Sequence, residues 1–205
     1  MANLRKLLNE NKIKINRAKV IAPNRKELEN LIYKTMKEDN SDNSNLNFID
    51  VSRIRNFSNL FYGSSFNGDI SKWDVSNAVN MSGMFGYSKF NGDISKWNVS
   101  NVKNMSKMFY NSAFNKYIGS WDVSKVTDMS LMFAKSDFNS DILLWNVKNV
   151  LDIDGIFDDS LFKKSIFLWK KKLPVGCVGV EETFAILDKR TLAYKMNHRD
   201  EVQKV

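Results

Sequence analysis

Cysteine occurs once in the 205 residues, histidine once and proline twice. A single thiol, Cys177, cannot close an internal disulfide, so the fold does not depend on an oxidising compartment. Two prolines and nine glycines are too few for a long linker or a low-complexity tract. No apolar run approaches the roughly 20 residues that span a bilayer as a helix. The opening MANLRKLLNENKIKINRAKV is basic and amphipathic, without the unbroken apolar stretch or cleavage site of a secretory leader. A cytoplasmic protein is expected, or a surface or secreted one if export follows a non-standard route. A Ser–His–Asp or Cys–His site would have to use His198, which has no patterned acidic or serine partner. Cys177, in PVGCVGV, reads as a small packed residue rather than a nucleophile. One His and one Cys cannot make a zinc set. No catalytic residue, cofactor or metal is expected.

Charge is unevenly placed. Residues 1–37 hold ten Lys/Arg and three acids, residues 38–162 hold eleven and fifteen, and residues 163–205 hold ten and five. The middle is mildly acidic and the ends are basic, unlike a uniformly basic nucleic-acid binder.

What the chain has in abundance is repetition. FNGDISKWDVSN at residues 66–77 returns as FNGDISKWNVSN at residues 90–101. Every tryptophan lies on one series with a step of 24: Trp73, Trp97, Trp121, Trp145 and Trp169. The same step governs Phe61 to Phe157, Phe66 to Phe162, Val51 to Val147 and Ile70 to Ile166. A period in this range is the mark of a repeat solenoid, in which like residues of successive units stack. Trp73 and Val75 alternate with Asp74 and Ser76, which predicts a short inward-facing strand. Ala78, Met81, Met84 and Phe85 fall on one helical face, with Ser76 or Asn77 as its N-cap. Each unit is therefore expected to be a short strand, a short helix or turn, and a loop. The Asn67/91/115/139 and Ser64/88/112/136/160 rows are expected to satisfy backbone groups at the turns.

FNGDISKWDVSN…VNMSGMF resembles the repeat of the BspA-like leucine-rich-repeat surface protein family, F-N-x-D-I-S-x-W-D-V-S-N-V-x-x-M-x-x-M-F. NRKELENLIYKTMKEDN…LNFIDVSRIRNFSNLF is similar to the helical segment that enters such arrays. The resemblance implies a leucine-rich-repeat-like solenoid and a binding role, often adhesion at a bacterial surface, with no catalytic residues.

The expected organisation is a basic N-terminal cap over 1–44, with an amphipathic helix at about 24–38, then about five 24-residue repeats over 45–172. A C-terminal cap over 173–205 completes an array with α+β caps at both ends. Asn24 and Glu27 fit a capping box, with Leu28, Leu31, Ile32 and Met36 on one stripe. Residues 3–10 can form a short helix and KIKINRAKVIA a strand.

Three sets of residues stand out as candidate contacts. Lys103, Lys107, Tyr110, Thr127, Leu131, Leu143 and Leu144 are positions where the ladders relax. Phe167 and Leu168 continue an apolar row from Leu143 and Leu144, in the place of Ser71-Lys72 and Ser95-Lys96. Either residues 173–205 fold back over that row, or it is a partner patch or a homodimer seam. Arg5, Lys6, Lys12, Lys14, Arg17, Lys19, Arg25 and Lys26 form a basic patch able to hold phosphate, without an aromatic platform for bases. Lys170, Lys171 and Lys172 read as charges that keep the array's end soluble. Asp69, Asp93 and Asp141 recur at 24, but Tyr117 breaks the column. Asp74, Asn98, Asp122 and Asn146 mix charge and amide, so both rows read as solvated edges rather than calcium ligands.

The function expected is that of a non-enzymatic protein-binding module, an intracellular interaction or inhibitor protein acting through a rigid surface, with another protein as partner. The alternatives are an adhesin of the BspA-like type and a binder of nucleic acid or of a nucleic-acid enzyme through the basic caps, as in phage or mobile elements.

Overall fold

The computed structural model describes residues 17–197, with side chains through residue 190. The expected helix at 3–10, the basic residues Arg5, Lys6, Lys12 and Lys14, and His198 lie outside the described residues.

Strand β1 (Val20–Ile21) pairs in parallel with β2 (Ile49–Asp50), Val20 opposite Ile49. Between them runs helix α1 (Arg25–Asp39). Asn24 starts it from extended backbone, its side-chain oxygen accepting the Glu27 N–H at 3.0 Å. Leu28, Ile32 and Thr35, spaced four and three apart, face inward. Asn40 ends the helix in the left-handed region at φ 48. Two further helices follow near the C-terminus, α2 (Phe167–Lys170) and α3 (Val180–Asn197).

From Val51 to Ile166 the chain is neither helix nor strand, yet its backbone bonding is periodic. Isolated parallel bridges join Asn56 to Asn80, Asn80 to Asn104, Asn104 to Asp128 and Asp128 to Asp152. Beside each bridge, alternate N–H groups point to the next unit. Phe57, Asn59, Phe61 and Gly63 donate to Asn80, Ser82, Met84 and Gly86 at 2.8–2.9 Å. The residues between them close three-residue turns inside the unit: Leu60 to Phe57, Tyr62 to Asn59, Ser64 to Phe61. With the Ser58 N–H on Asn56 Oδ1, every N–H from Phe57 to Ser64 has a partner without a helix.

The strand-plus-helix unit expected from side-chain spacing is corrected here. The helical face at Ala78–Phe85 is a run of turns, because position 83 and its equivalents adopt positive φ, which an α-helix cannot continue: Asn59 (55°), Gly83 (61°), Lys107 (56°), Leu131 (55°) and Gly155 (59°). Trp73 and Val75 do face inward, and Asp74 outward. Their backbone is held by a side chain instead of a strand ladder, the Ser76 N–H donating to Asp74 Oδ1 at 3.0 Å. Asn77 caps no helix; its amide reaches back a unit to donate to Ser52 O at 2.9 Å.

Aromatic columns fill the interior. Phe61, Phe85, Phe109, Phe133 and Phe157 stack with ring centres 5.7–5.8 Å apart and planes within 6°. Phe66 to Phe162 form a second column at 6.0–6.4 Å. All five tryptophans are buried, and Trp73–Trp97 and Trp145–Trp169 stack at 6.4 and 6.0 Å. Each indole N–H donates to a carbonyl of the unit before: Trp73 to Leu46, Trp97 to Ile70, Trp121 to Ile94, Trp145 to Ile118 and Trp169 to Ile142, at 3.0–3.2 Å. The ring is buried without stranding its one donor.

The ends have opposite needs. Since N–H groups of one unit donate to carbonyls of the next, the first unit is left with carbonyls lacking donors. Arg25 of α1 supplies them, donating to Asn56 O and Ser58 O at 3.2 and 3.0 Å. At the far end Val178 takes the place of a further unit, accepting from Ile153 and bridging Asp152. Helix α3 then adds Thr183 Oγ1 on Ile153 O and Arg190 on Phe157 O.

Candidate functional site

The two left-handed positions of each unit project side chains from the run of turns. The first row is Asn59, Gly83, Lys107, Leu131 and Gly155; the second is Gly63, Tyr87, Asn111, Lys135 and Asp159. Glycine is the cheapest occupant of such backbone, and Asn or Asp the next. In the middle units the chain instead places Tyr87, Lys107, Leu131 and Lys135, each costing on the order of 1 kcal/mol relative to glycine. Leu131 recovers part of this by lying over Gly155, where a Cβ would come within 2.7 Å of Leu131 Cδ2.

Around these four side chains runs an aromatic edge. Tyr62 packs edge-to-face on Tyr87 at 5.4 Å, and Tyr87 on Tyr110 at 5.2 Å. The Lys135 ammonium stands 6.0 Å from the centre of the Tyr110 ring. Gly86 makes the row possible, since a Cβ there would strike the Tyr62 ring at 2.9 Å. Tyr62 and Tyr87 are about half exposed, at 49% and 47%. The Tyr87 phenol is pushed above its ordinary value, first by its hydrogen bond with Tyr110 and then by desolvation. Lys107 and Lys135 add two basic side chains to this edge.

Of the expected contact residues, Lys107, Tyr110 and Leu131 come together on this edge. Lys103 and Thr127 lie in a different column, where Thr127 donates to Lys103 O through both its N–H (2.8 Å) and its hydroxyl (3.1 Å). Leu143, Leu144, Phe167 and Leu168 form a separate corner in which Leu144 is 77% and Phe167 60% exposed. The expected covering of that row by the C-terminal segment is not found among the described residues. Instead α3 packs on the end of the stack, held there by the carbonyls that Thr183 and Arg190 reach.

Of the four described residues of the basic patch, Arg17, Lys19 and Arg25 are engaged within the molecule. Arg17 forms two hydrogen bonds with Asp39, at 2.6 and 3.1 Å, which raise the guanidinium and lower the carboxyl from their ordinary values. Lys19 Nζ sits 2.9 Å from Asp50, holding that carboxyl well below the usual range with help from Ser52. Arg25 pairs with Glu29 at 2.7 Å while capping the first unit. Lys26 is exposed.

The acidic rows are turn-formers. Asp69, Asp93 and Asp141 each accept the N–H two residues on, as do Asp74, Asn98 and Asp122, all at 2.8–3.1 Å. That job needs an acceptor oxygen and no charge, which is why Asp and Asn interchange along a column. The Ser95 N–H and hydroxyl hold Asp93, and the Ser124 hydroxyl and N–H hold Asp122, below their ordinary values. Among the described residues no three His, Cys, Asp or Glu side chains group to hold a metal. Burial, and then the charge of Asp152, raise the Cys177 thiol, the reverse of an activated thiolate. No described helix is long and apolar enough to cross a membrane.

Tyr62, Tyr87 and Lys135 were not singled out by the repeat pattern, because Tyr62 and Tyr87 stand 25 apart and so off the period. A signal does exist in two adjacent columns, Tyr62/Gly86/Tyr110 and Gly63/Tyr87/Asn111, where tyrosine and glycine alternate across neighbouring units. No curated protein and no solved structure matches the chain. A family profile does, over residues 27–133 and 110–175, and by that match the chain belongs to the family described as Mycoplasma protein of unknown function, DUF285.

Proposed function

We propose that this chain is a non-enzymatic binding module, a leucine-rich-repeat-like solenoid that presents the Tyr62–Tyr87–Tyr110–Lys135 edge, with Lys107 and Leu131, to another protein. One observation carries the reading: four bulky or charged side chains occupy left-handed backbone that glycine, asparagine or aspartate fills at less cost in other units. Retaining Tyr87, Lys107, Leu131 and Lys135 against that cost argues that their side chains are used. Tyrosine suits the role, since it offers a large contact area with few rotatable bonds. The interlocked columns beneath hold the edge in place before binding, so little ordering cost opposes association.

The test is capture from the native cell with the full chain as bait, in parallel with Tyr87→Ala/Tyr110→Ala, followed by titration of the purified partner. A partner whose affinity falls at least ~30-fold in the double variant supports the proposal, consistent with hot-spot losses of about 2 kcal/mol. Equal binding by wild type and variant overturns it. The BspA-like resemblance of the repeats supports a second reading, an adhesin using this same edge. Labelling of intact cells with a membrane-impermeant reagent separates the two, since an adhesin is modified and an interior binder is not.

A further inference from the structure

The corner left bare by α3 has a chemistry of its own. Along the last unit the chain reads Lys163, Lys164, Ser165, Ile166, Phe167, Leu168, Trp169, Lys170, Lys171, Lys172, with no acid among them. Ile166 and Trp169 point inward, which turns Phe167 out at the tip. The five lysines on either side are all exposed, although the Lys170 ammonium stands 5.6 Å from the centre of the Phe184 ring of α3. One unit back, Leu143 and Leu144 extend the tip, with Leu144 more exposed than Phe167. The carboxylate next to this tip, Asp141, accepts the Leu143 N–H at 2.8 Å. Glu181 and Glu182 share the shallow cleft beside Lys170.

Apolar tips ringed by lysines call for a partner that is apolar inside and anionic at its surface. A second copy fits poorly: four side chains on two units fall far short of the ~800 Å² per partner of a stable interface. Like-charged lysine clusters would also face each other across such a seam. A bilayer with anionic headgroups has no minimum area to satisfy. A few apolar side chains enter the headgroup boundary while the lysines bind the surface, and the two contributions add.

We propose that the Leu144–Phe167 corner, with Lys163, Lys164 and Lys170–Lys172, is a reversible attachment site for anionic lipid membranes. The corner lies on a different turn of the unit from the tyrosine edge, so attachment leaves that edge free.

The test uses the full chain and two kinds of vesicle, phosphatidylcholine alone and one part phosphatidylserine to two parts phosphatidylcholine. The wild type should sediment with the anionic vesicles only, and about 0.5 M salt should release it. Leu144→Ser/Phe167→Ser and Lys164→Glu/Lys171→Glu/Lys172→Glu should each cut vesicle affinity at least ~10-fold. Because these side chains are exposed, both variants should keep the wild-type unfolding midpoint, as should Lys26→Glu, which should bind vesicles normally. No sedimentation of the wild type, equal sedimentation with neutral vesicles, or indifference to both variants overturns the proposal. So does a concentration-dependent dimer abolished by Phe167→Ser, which makes the corner a self-interface. Binding to polyglutamate without binding to anionic vesicles also overturns it, by assigning the corner to acidic protein.

Discussion

At the scale of the residue, the tryptophans hold two units together as well as filling space. Replacing Trp121 by Phe keeps most of the packing but removes the inter-unit bond from the indole N–H to the Ile94 carbonyl at 3.1 Å, leaving that oxygen only its Trp97 N–H donor. Trp121→Phe should lower stability by about 1–3 kcal/mol, read from urea unfolding, the loss being shared between the missing inter-unit bond and the space the smaller ring leaves. The left-handed positions make a prediction of opposite sign. Lys107 is exposed at φ 56. Lys107→Gly should leave stability unchanged or raise it by up to about 1 kcal/mol, as relief of backbone strain outweighs the extra freedom of glycine in the unfolded chain. Lys103→Gly, equally exposed but at negative φ, should lower it by about 0.5–1 kcal/mol, and denaturant midpoints of the pair provide the comparison. If Lys107→Gly also weakens partner binding, the side chain is retained for function.

At the scale of the element, α1 is tied to the stack by charge as well as by Leu28 and Ile32. Arg25→Met keeps the aliphatic stem and removes donors from Asn56 O and Ser58 O; a loss of about 1–2 kcal/mol is expected in thermal or urea unfolding. The Arg17–Asp39 and Lys19–Asp50 pairs set an acid limit on the same region. Both carboxyls lie below their ordinary value of 3.8 in the folded state. A depressed carboxyl contributes fully above its unfolded value and loses that contribution as pH falls through the folded value. Stability should therefore hold from neutrality to near 3.8 and fall below it. Asp39→Asn should lower stability at neutral pH and flatten the acid limb, and urea midpoints across an acid pH series decide it.

At the scale of the whole molecule, units exchange contacts chiefly with their neighbours, so length should be adjustable only in whole periods. Deleting residues 90–113 rejoins Lys89 to Phe114 and leaves every column in register. That protein should unfold cooperatively at a reduced midpoint. Deleting residues 90–101 sets Phe against non-equivalent positions and should abolish the cooperative transition followed by tryptophan fluorescence.

What the sequence by itself determined is the columns. A period of 24 places like beside like, and residues such as Phe85, Phe90 and Trp97 are too large and too regularly spaced to serve any purpose but mutual burial. The Asn and Ser rows, and the N-cap bond between Asn24 and the Glu27 N–H, are legible for the same reason, since their partners lie a few residues or one period away. Backbone sign was not legible. Met81 and Met84 fit a helical spacing as well as they fit turns, and only inter-unit hydrogen bonds made the left-handed alternative stable. Tertiary structure alone decided the candidate site too. Tyr62, Tyr87 and Tyr110 become neighbours only when successive units stack, and Arg25 changes from a surface cation to an end cap only where a preceding unit is missing. Local spacing encodes what repeats; contacts across units decide what the repeats expose.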